Sequence, residues 1–128
     1  MSEMVIIGGG QAGFSVASKL RDIGFKGSIE IICAEDSIPY QRPPLSKKFL
    51  MGEISKDRLF IRPESFYKEK NITLCLGINV TKIDRTTSQV LCSDGARLSY
   101  KKLFLVTGST PNVFPEKLGG KLKGAYYI

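Results

Sequence analysis

The 128-residue chain has no histidine, no tryptophan and only three cysteines. Without histidine there is no imidazole general base, no Ser-His-Asp triad and no histidine metal ligand within it. Cys33, Cys75 and Cys92 lie far apart, with no C-x-x-C or C-x-x-x-x-C spacing. That pattern argues against a zinc site and against a local redox-active disulfide, so buried free thiols and no bound metal are expected. No apolar run approaches the ~18 residues of a membrane span. The first residues read as the start of a strand rather than as a signal peptide, which points to the cytoplasm. Internal repeats and low-complexity tracts are absent as well.

What is present is ordinary in bulk: 42% hydrophobic and 24% charged residues, a composition suited to about one soluble domain with a modest core. The net charge is +7, yet the basic residues are scattered. Lys47-Lys48 and Lys101-Lys102 are the adjacent pairs, and neither belongs to a nucleic-acid motif. A generally solvated basic surface is expected, without nucleic acid or membrane as a partner. Steering of an acidic redox partner is the other reading of the charge.

Met4 to Gly13 is the most informative stretch. An apolar run of strand length meets G-x-G-x-x-G at Gly8, Gly10 and Gly13, and a segment of helix length follows. This pattern builds a pyrophosphate cradle. Gly8 permits the tight turn out of the strand, Gly10 lets a phosphate approach the backbone, and Gly13 lets the helix pack on the strand. Gln11 and Ala12 open that helix, where free N–H groups and the positive dipole end favour an anion. The helix is expected over Gln11 to Ile23, with Ala12, Val16, Leu20 and Ile23 on its apolar face, Ala17 beside them, and Gly24 as its stop. A second strand is expected over Ser28 to Cys33. Glu35 stands at its carboxyl end, about 20 residues beyond Gly13, where an acid accepts hydrogen bonds from ribose hydroxyls. Asp36 is the rival for that role.

Ser37 to Pro44 carries three prolines and is expected to be non-helical. Leu45 to Met51 resumes a helical pattern with Ser46 as an N-cap and Gly52 as a stop. Arg58 to Ile61 reads as a short extended piece, and Glu64 to Lys70 as a short helix. Ile72 to Leu76 is a strand able to join the first two. Asn79 to Asp84, Gln89 to Cys92 and Arg97 to Tyr100 form an antiparallel meander, with Asp94-Gly95 a hairpin signal. Leu103 to Val106 is a further buried strand that leads into Thr107-Gly108. The expected fold is therefore α/β and Rossmann-like: a parallel sheet with a βαβ start and a small antiparallel meander. In such sheets the ligand sits at the carboxyl ends of the strands, and the glycine loop, Glu35 and Thr107-Gly108 all lie at such ends.

Three segments together carry a family resemblance: G-G-G-Q-A-G, Y-Q-R-P-P-L-S-K at Tyr40 to Lys47, and L-F-L-V-T-G-S-T-P at Leu103 to Pro111. With these the chain resembles the opening of FAD-dependent ferredoxin reductases of the oxygenase-coupled type, a pattern that the apoptosis-inducing-factor proteins largely share. The resemblance implies non-covalent FAD in the first dinucleotide site. It implies pyrophosphate contacts from Gly8, Gly10, Gln11, Ala12 and Gly13, and a ribose contact from Glu35. Arg42 and Lys47 match residues that reach the cofactor, Val80 one that contacts the adenine part through its backbone, and Thr107 and Gly108 the turn approaching FAD. Lys47 is the expected catalytic residue, a cation beside the isoalloxazine that stabilises reduced flavin. Ala34 and Asn112 stand where the family often has an acid and an arginine.

Such enzymes take hydride from NAD(P)H and pass single electrons to a ferredoxin- or rubredoxin-like protein. The resemblance also implies an incomplete unit here. Residues 1–112 correspond to the N-terminal part of the FAD-binding domain, and 113–128 to the start of a crossover toward an NAD(P)-binding domain that is not encoded. The chain alone is thus expected to be inactive in NAD(P)H-dependent turnover. The competing reading is a stand-alone FAD- or adenine-nucleotide-binding module that self-associates through uncovered edges. A reductase with a redox-active disulfide would need a cysteine pair after the Pro-rich loop, and Leu45 to Gly52 contains none.

Overall fold

The computed structural model describes residues 2–127. The expected end of the crossover at Ile128 lies outside the described residues. The order is β1 (Ser2–Ile7), α1 (Gln11–Asp22), β2 (Ile29–Ile32), α2 (Glu64–Glu69), β3 (Ile72–Cys75), β4 (Val80–Asp84), β5 (Gln89–Cys92) and β6 (Arg97–Leu105), with single-turn 3-10 helices at Pro43–Ser46, Lys56–Leu59 and Glu116–Leu118. The six strands form one sheet in the order β3-β2-β1-β6-β5-β4. Strands β3, β2, β1 and β6 are parallel, whereas β4, β5 and β6 are antiparallel. The architecture is the expected Rossmann-like α/β fold with its βαβ start and meander.

Alternate residues of β1 and β2 feed two cores, as the two-residue period of a strand requires. Ile6, Ile29 and Ile31 pack with Ala17, Cys33, Tyr67 and Ile72. Val5, Ile7 and Ile32 pack with Val90 and Cys92 of the meander. On α1 the buried residues are Gly13 and Ala17, with Phe14, Val16 and Leu20 packed beside them. Two small residues four apart bring the helix close to the sheet. Ala12 and Ile23, expected on this face, are exposed instead. Ala12 sits in the first turn at the mouth of the loop, and Ile23 is the C-cap, already leaving the helix.

The Arg21 side chain ties the far end of α1 to its neighbours. Its guanidinium donates to the carbonyls of Phe25 (2.7 Å), Gly27 (2.8 Å), Lys70 (2.7 Å) and Asn71 (2.6 Å). One side chain thereby joins the α1–β2 loop to the α2–β3 turn. Nearby, Phe14, Phe66 and Tyr67 form an aromatic cluster with centroids 5.5–6.4 Å apart, which packs α2 against α1.

Three expectations change. Arg97 to Tyr100 and Leu103 to Val106 are one strand, not two: β6 pairs with β5 at Arg97–Ser99 and with β1 from Tyr100 to Leu105. Lys101-Lys102 looks like a polar break, but both residues are exposed on a strand that passes from one partner to the other. Leu45 to Met51 is not an α-helix. The 3-10 turn starts at Pro43, Ser46 ends it rather than capping a helix, and turns continue to Gly52. Proline at N1/N2 suits a first helical turn, and with Leu50 and Met51 75% and 73% exposed there is too little packing to stabilise a longer one. Residues 56–59 form a 3-10 turn where an extended piece was expected from 58, and only Phe60 is extended, bridging Tyr40.

Candidate dinucleotide site

The glycine loop leaves β1 at its carboxyl end. Gly8 has φ +126°, and a Cβ there would lie 2.1 Å from the Val106 carbonyl oxygen. A Cβ on Gly13 would lie 1.9 Å from the Gly8 carbonyl oxygen. A Cβ on Gly9 would lie 2.4 Å from Cys33 Sγ; this third close approach has no counterpart in the three-glycine fingerprint and was not anticipated. The fold therefore demands glycine at 8, 9 and 13. Gly10 differs. Its φ is −85°, and the nearest atom to a Cβ there is Arg42 Nε at 3.9 Å. Among the described residues, no other atom comes within 4 Å of that position.

That space adjoins the start of α1. The helix has no side-chain cap and no acid in its first turn. The N–H groups of Gln11, Ala12 and Gly13 precede the first intrahelical bond, in which Phe14 N–H donates to Gly10 O at 3.1 Å. An uncapped helix N-terminus beside an open backbone position can accept an anionic group, and its fit to a pyrophosphate rests on that opening.

Two neighbouring strands frame the mouth. On one side, Gly8 N–H donates to Ile32 O at 3.0 Å, and the chain runs on from the end of β2 through Cys33 to Glu35. On the other, Val106 N–H donates to Ile7 O at 2.9 Å. Thr107 and Gly108 follow at once, both exposed, with Gly108 at φ +70°. Three of the expected regions thus lie side by side at the carboxyl ends of β2, β1 and β6.

The Pro-rich strap supplies the fourth side. Tyr40 O–H donates to Glu35 Oε2 at 2.6 Å, and Arg42 Nη2 donates to Glu35 Oε1 at 2.6 Å. The guanidinium also lies 5.2 Å from the centroid of the Tyr40 ring. The Tyr40 hydroxyl, against a smaller opposing effect of burial and with help from Arg42, holds the Glu35 carboxyl below its ordinary value. Burial and the Glu35 hydrogen bond raise the Tyr40 phenol. The ion pair itself is about half exposed and contributes little to stability, about 0–1 kcal/mol. Asp36, the rival acid, is exposed beside the turn at Gly77.

Two expected residues stand apart from this group. Lys47 is exposed and C-caps the 3-10 turn, and its Nζ reaches Pro43 O at 3.5 Å. Val80 is half-buried, starts β4 opposite Cys92 and packs on the second core. Its approach does pass the site: Gly77 N–H donates to Glu35 O at 3.1 Å and Ile78 N–H to Cys33 O at 2.9 Å. Tyr40 was missed as a member of the group, although its place two residues before Arg42 in an extended strap puts both side chains on one face. The three thiols are free; Cys33 and Cys92 are buried, while Cys75 is only half-buried. No three metal-ligating side chains cluster among the described residues, and no helix there is long and apolar enough to cross a membrane.

Fold and loop together define a Rossmann-like dinucleotide-binding domain. The chain belongs to the pyridine nucleotide-disulphide oxidoreductase family, which matches residues 2–128. The chain is 40% identical over 125 residues to rhodocoxin reductase of Rhodococcus erythropolis, covering 98% of this chain and 29% of that protein. It is 39% identical to the rubredoxin-NAD(+) reductase of Pseudomonas putida, covering 98% and 32%. Among solved structures, a chain of the covalent putidaredoxin reductase–putidaredoxin complex superposes with a TM-score of 0.86 at 40% identity, covering 89% of this chain and 27% of that one. NADH:rubredoxin oxidoreductase from Clostridium acetobutylicum gives 0.80 at 30% identity, covering 89% and 29%. The chain thus spans 29–32% of the length of these two curated relatives.

Proposed function

We propose that this chain is the FAD-binding N-terminal portion of an NAD(P)H-dependent ferredoxin- or rubredoxin-type reductase. The observation that carries the reading is the open position at Gly10 beside the uncapped start of α1. Glycine is required at 8, 9 and 13 by the chain's own atoms, whereas at Gly10 the missing Cβ serves a group outside the chain.

Backbone N–H groups from Gly10 to Gly13 bind the pyrophosphate, and the α1 dipole adds to the attraction. Glu35 accepts from the adenosine ribose hydroxyls. Arg42, already over the mouth, adds a guanidinium beside the phosphates. Val80 contacts the adenine part through its backbone, and Thr107 and Gly108 approach the cofactor from β6. Bound FAD supplies a group that accepts two electrons as hydride and releases them singly. Lys47 is the candidate catalytic residue. Its contact to Pro43 O is long, so its side chain is free to turn toward the isoalloxazine and favour negative charge there. Residues 1–112 form the FAD-binding segment and 113–128 begin a crossover. The chain holds no second G-x-G-x-x-G, so NAD(P)H turnover and delivery to a ferredoxin- or rubredoxin-like acceptor require the remainder of a longer reductase.

Purification in the presence of FAD tests this. The expected result is a flavin absorption spectrum that survives gel filtration, and loss of that spectrum in a folded Gly10→Val variant. A wild-type chain that retains no flavin and shows no FAD binding by titration overturns the proposal.

A second reading is favoured by the exposed apolar side chains. Leu50, Met51, Leu105, Phe114 and Leu122 are 62–75% exposed, and β5 covers the outer edge of β6 only over Arg97–Ser99. These features suit a stand-alone nucleotide-binding module that self-associates. Light scattering decides it: a clean monomer at high concentration removes this reading.

A further inference from the structure

Tyr40 touches both charged partners at the mouth of the site. Its hydroxyl donates to Glu35 Oε2 and its ring lies beneath the Arg42 guanidinium. Meanwhile Arg42 donates to the other oxygen, Oε1. The backbone that carries Tyr40 is itself pinned. Pro39 is fully buried. Tyr40 bridges Phe60, Gln41 N–H donates to Leu59 O at 2.8 Å, and Ile61 N–H donates to Pro39 O at 3.1 Å. Prolines at 39, 43 and 44 restrict the strap further. A short anchored segment thus fixes an acid that would otherwise be a loop side chain with three rotatable bonds.

The donor–acceptor count makes this arrangement specific. An ionised carboxylate has about four lone-pair sites, two on each oxygen. Tyr40 takes one site on Oε2 and Arg42 one on Oε1, so one site per oxygen is left. A vicinal diol offers two O–H donors at matching separation.

Resting on the dinucleotide reading above, we propose that Tyr40 is a positioning residue for recognition of the adenosine ribose. It holds the Glu35 carboxylate so that one free lone-pair site on each oxygen meets the 2′- and 3′-hydroxyls. Ordering two groups in advance removes a rotamer cost otherwise incurred on binding. The same hydroxyl lowers the Glu35 carboxyl below its ordinary value, which favours the acceptor form.

Tyr40→Phe is the test, because it keeps the ring beneath Arg42 and deletes only the hydroxyl. Affinities of the 128-residue chain for ADP and for 2′,3′-dideoxy-ADP are measured by calorimetry, with circular dichroism and melting recorded to show the fold unchanged. Tyr40→Phe is expected to weaken ADP about three- to tenfold, as for a hydrogen bond partly open to solvent, and to leave the dideoxy analogue unaffected. Glu35→Ala, which removes the acceptor altogether, should abolish the difference between the two nucleotides, and Tyr40→Phe should then have no further effect. Equal loss for both nucleotides, or no loss for either, overturns the role of Tyr40 while the dinucleotide site stands. If the wild-type chain binds neither ADP nor FAD, the site reading falls and this inference falls with it. If Tyr40→Phe fails to fold, Tyr40→Leu takes its place in the same comparison, and equal loss for both nucleotides, or no loss for either, overturns the role of Tyr40.

Discussion

Gly10 and Gly13 belong to one motif, yet the structure separates their purposes, and alanine at each should behave differently. At Gly13 a Cβ would stand 1.9 Å from the Gly8 carbonyl oxygen, against a limit near 3.0 Å for real contacts. The obstacle is backbone, so relief requires α1 to move off β1 by an ångström or so. Alanine inside a helix gains about 1 kcal/mol over glycine, while overpacking typically costs about 1–3 kcal/mol and, against backbone that cannot yield, about 3–5 kcal/mol here. The net expectation is a loss of about 2–4 kcal/mol, or some 8–16 °C in Tm for a domain of this size. At Gly10 the φ of −85° suits any residue, and the nearest atom is a flexible side chain at 3.9 Å. Losing glycine from an N-cap costs about 1 kcal/mol or less, so Tm should change by no more than about 4 °C. Flavin affinity should nonetheless fall at least about tenfold, which is 1.4 kcal/mol, because the methyl group occupies the open space. Thermal melting of the two variants and FAD titration of Gly10→Ala check this. If Gly13→Ala melts within about 2 °C of wild type, or Gly10→Ala melts as low as Gly13→Ala, the division of roles is refuted.

Arg21→Met removes four hydrogen bonds to carbonyls; at about 0.5–1 kcal/mol each in a partly exposed setting, urea denaturation should show a loss of about 2–4 kcal/mol, and a loss below about 1 kcal/mol refutes the clamp. The Tyr67 hydroxyl is buried without a partner, so Tyr67→Phe, which keeps the aromatic cluster, should be neutral or stabilising by about 1 kcal/mol, and clear destabilisation on melting would show that the hydroxyl has a role. Burial pushes the Cys33 thiol up from 9.0 to about 11. The unfolded chain therefore releases this proton first as pH rises, so stability is lost between pH 9 and about 11, an effect of at most about 2–3 kcal/mol that Cys33→Ser should remove. Half-buried Cys75 should react first with a thiol reagent under native conditions.

Most of the candidate site's framework was legible because its parts are backbone features with distinctive sequence signs. The glycine loop declares itself by spacing, β2 ends where its apolar run ends, and Glu35 stands at the expected interval. Gly9 was not legible as a requirement. Its reason is a side chain from another strand, Cys33, and a contact across the fold leaves no local pattern. The strap was legible as non-helical up to Pro44 but not beyond it. Leu45, Phe49, Leu50 and Met51 have helical spacing, yet most of the faces they would present meet solvent, and periodicity without a packing partner does not make a helix.

The merged strand explains why the site closes at all. Read as two strands, Arg97 to Tyr100 belongs to the meander and Leu103 to Val106 to the parallel sheet, with no reason for the second to lie beside β1. As one continuous β6 it is anchored at its first half by β5 and carried by the same pleat into register with β1 from Tyr100 to Leu105. Its end is then fixed relative to the glycine loop: Ile7 opposes Leu105, and Val106 stands against Gly8 so closely that only glycine fits there. Thr107-Gly108 follows with no slack. The antiparallel meander, which bears no candidate residue except Val80, is thus the brace that sets the third side of the candidate site's mouth. Its second core, Val90 and Cys92 against Val5, Ile7 and Ile32, stabilises the site as directly as the packing of α1 does.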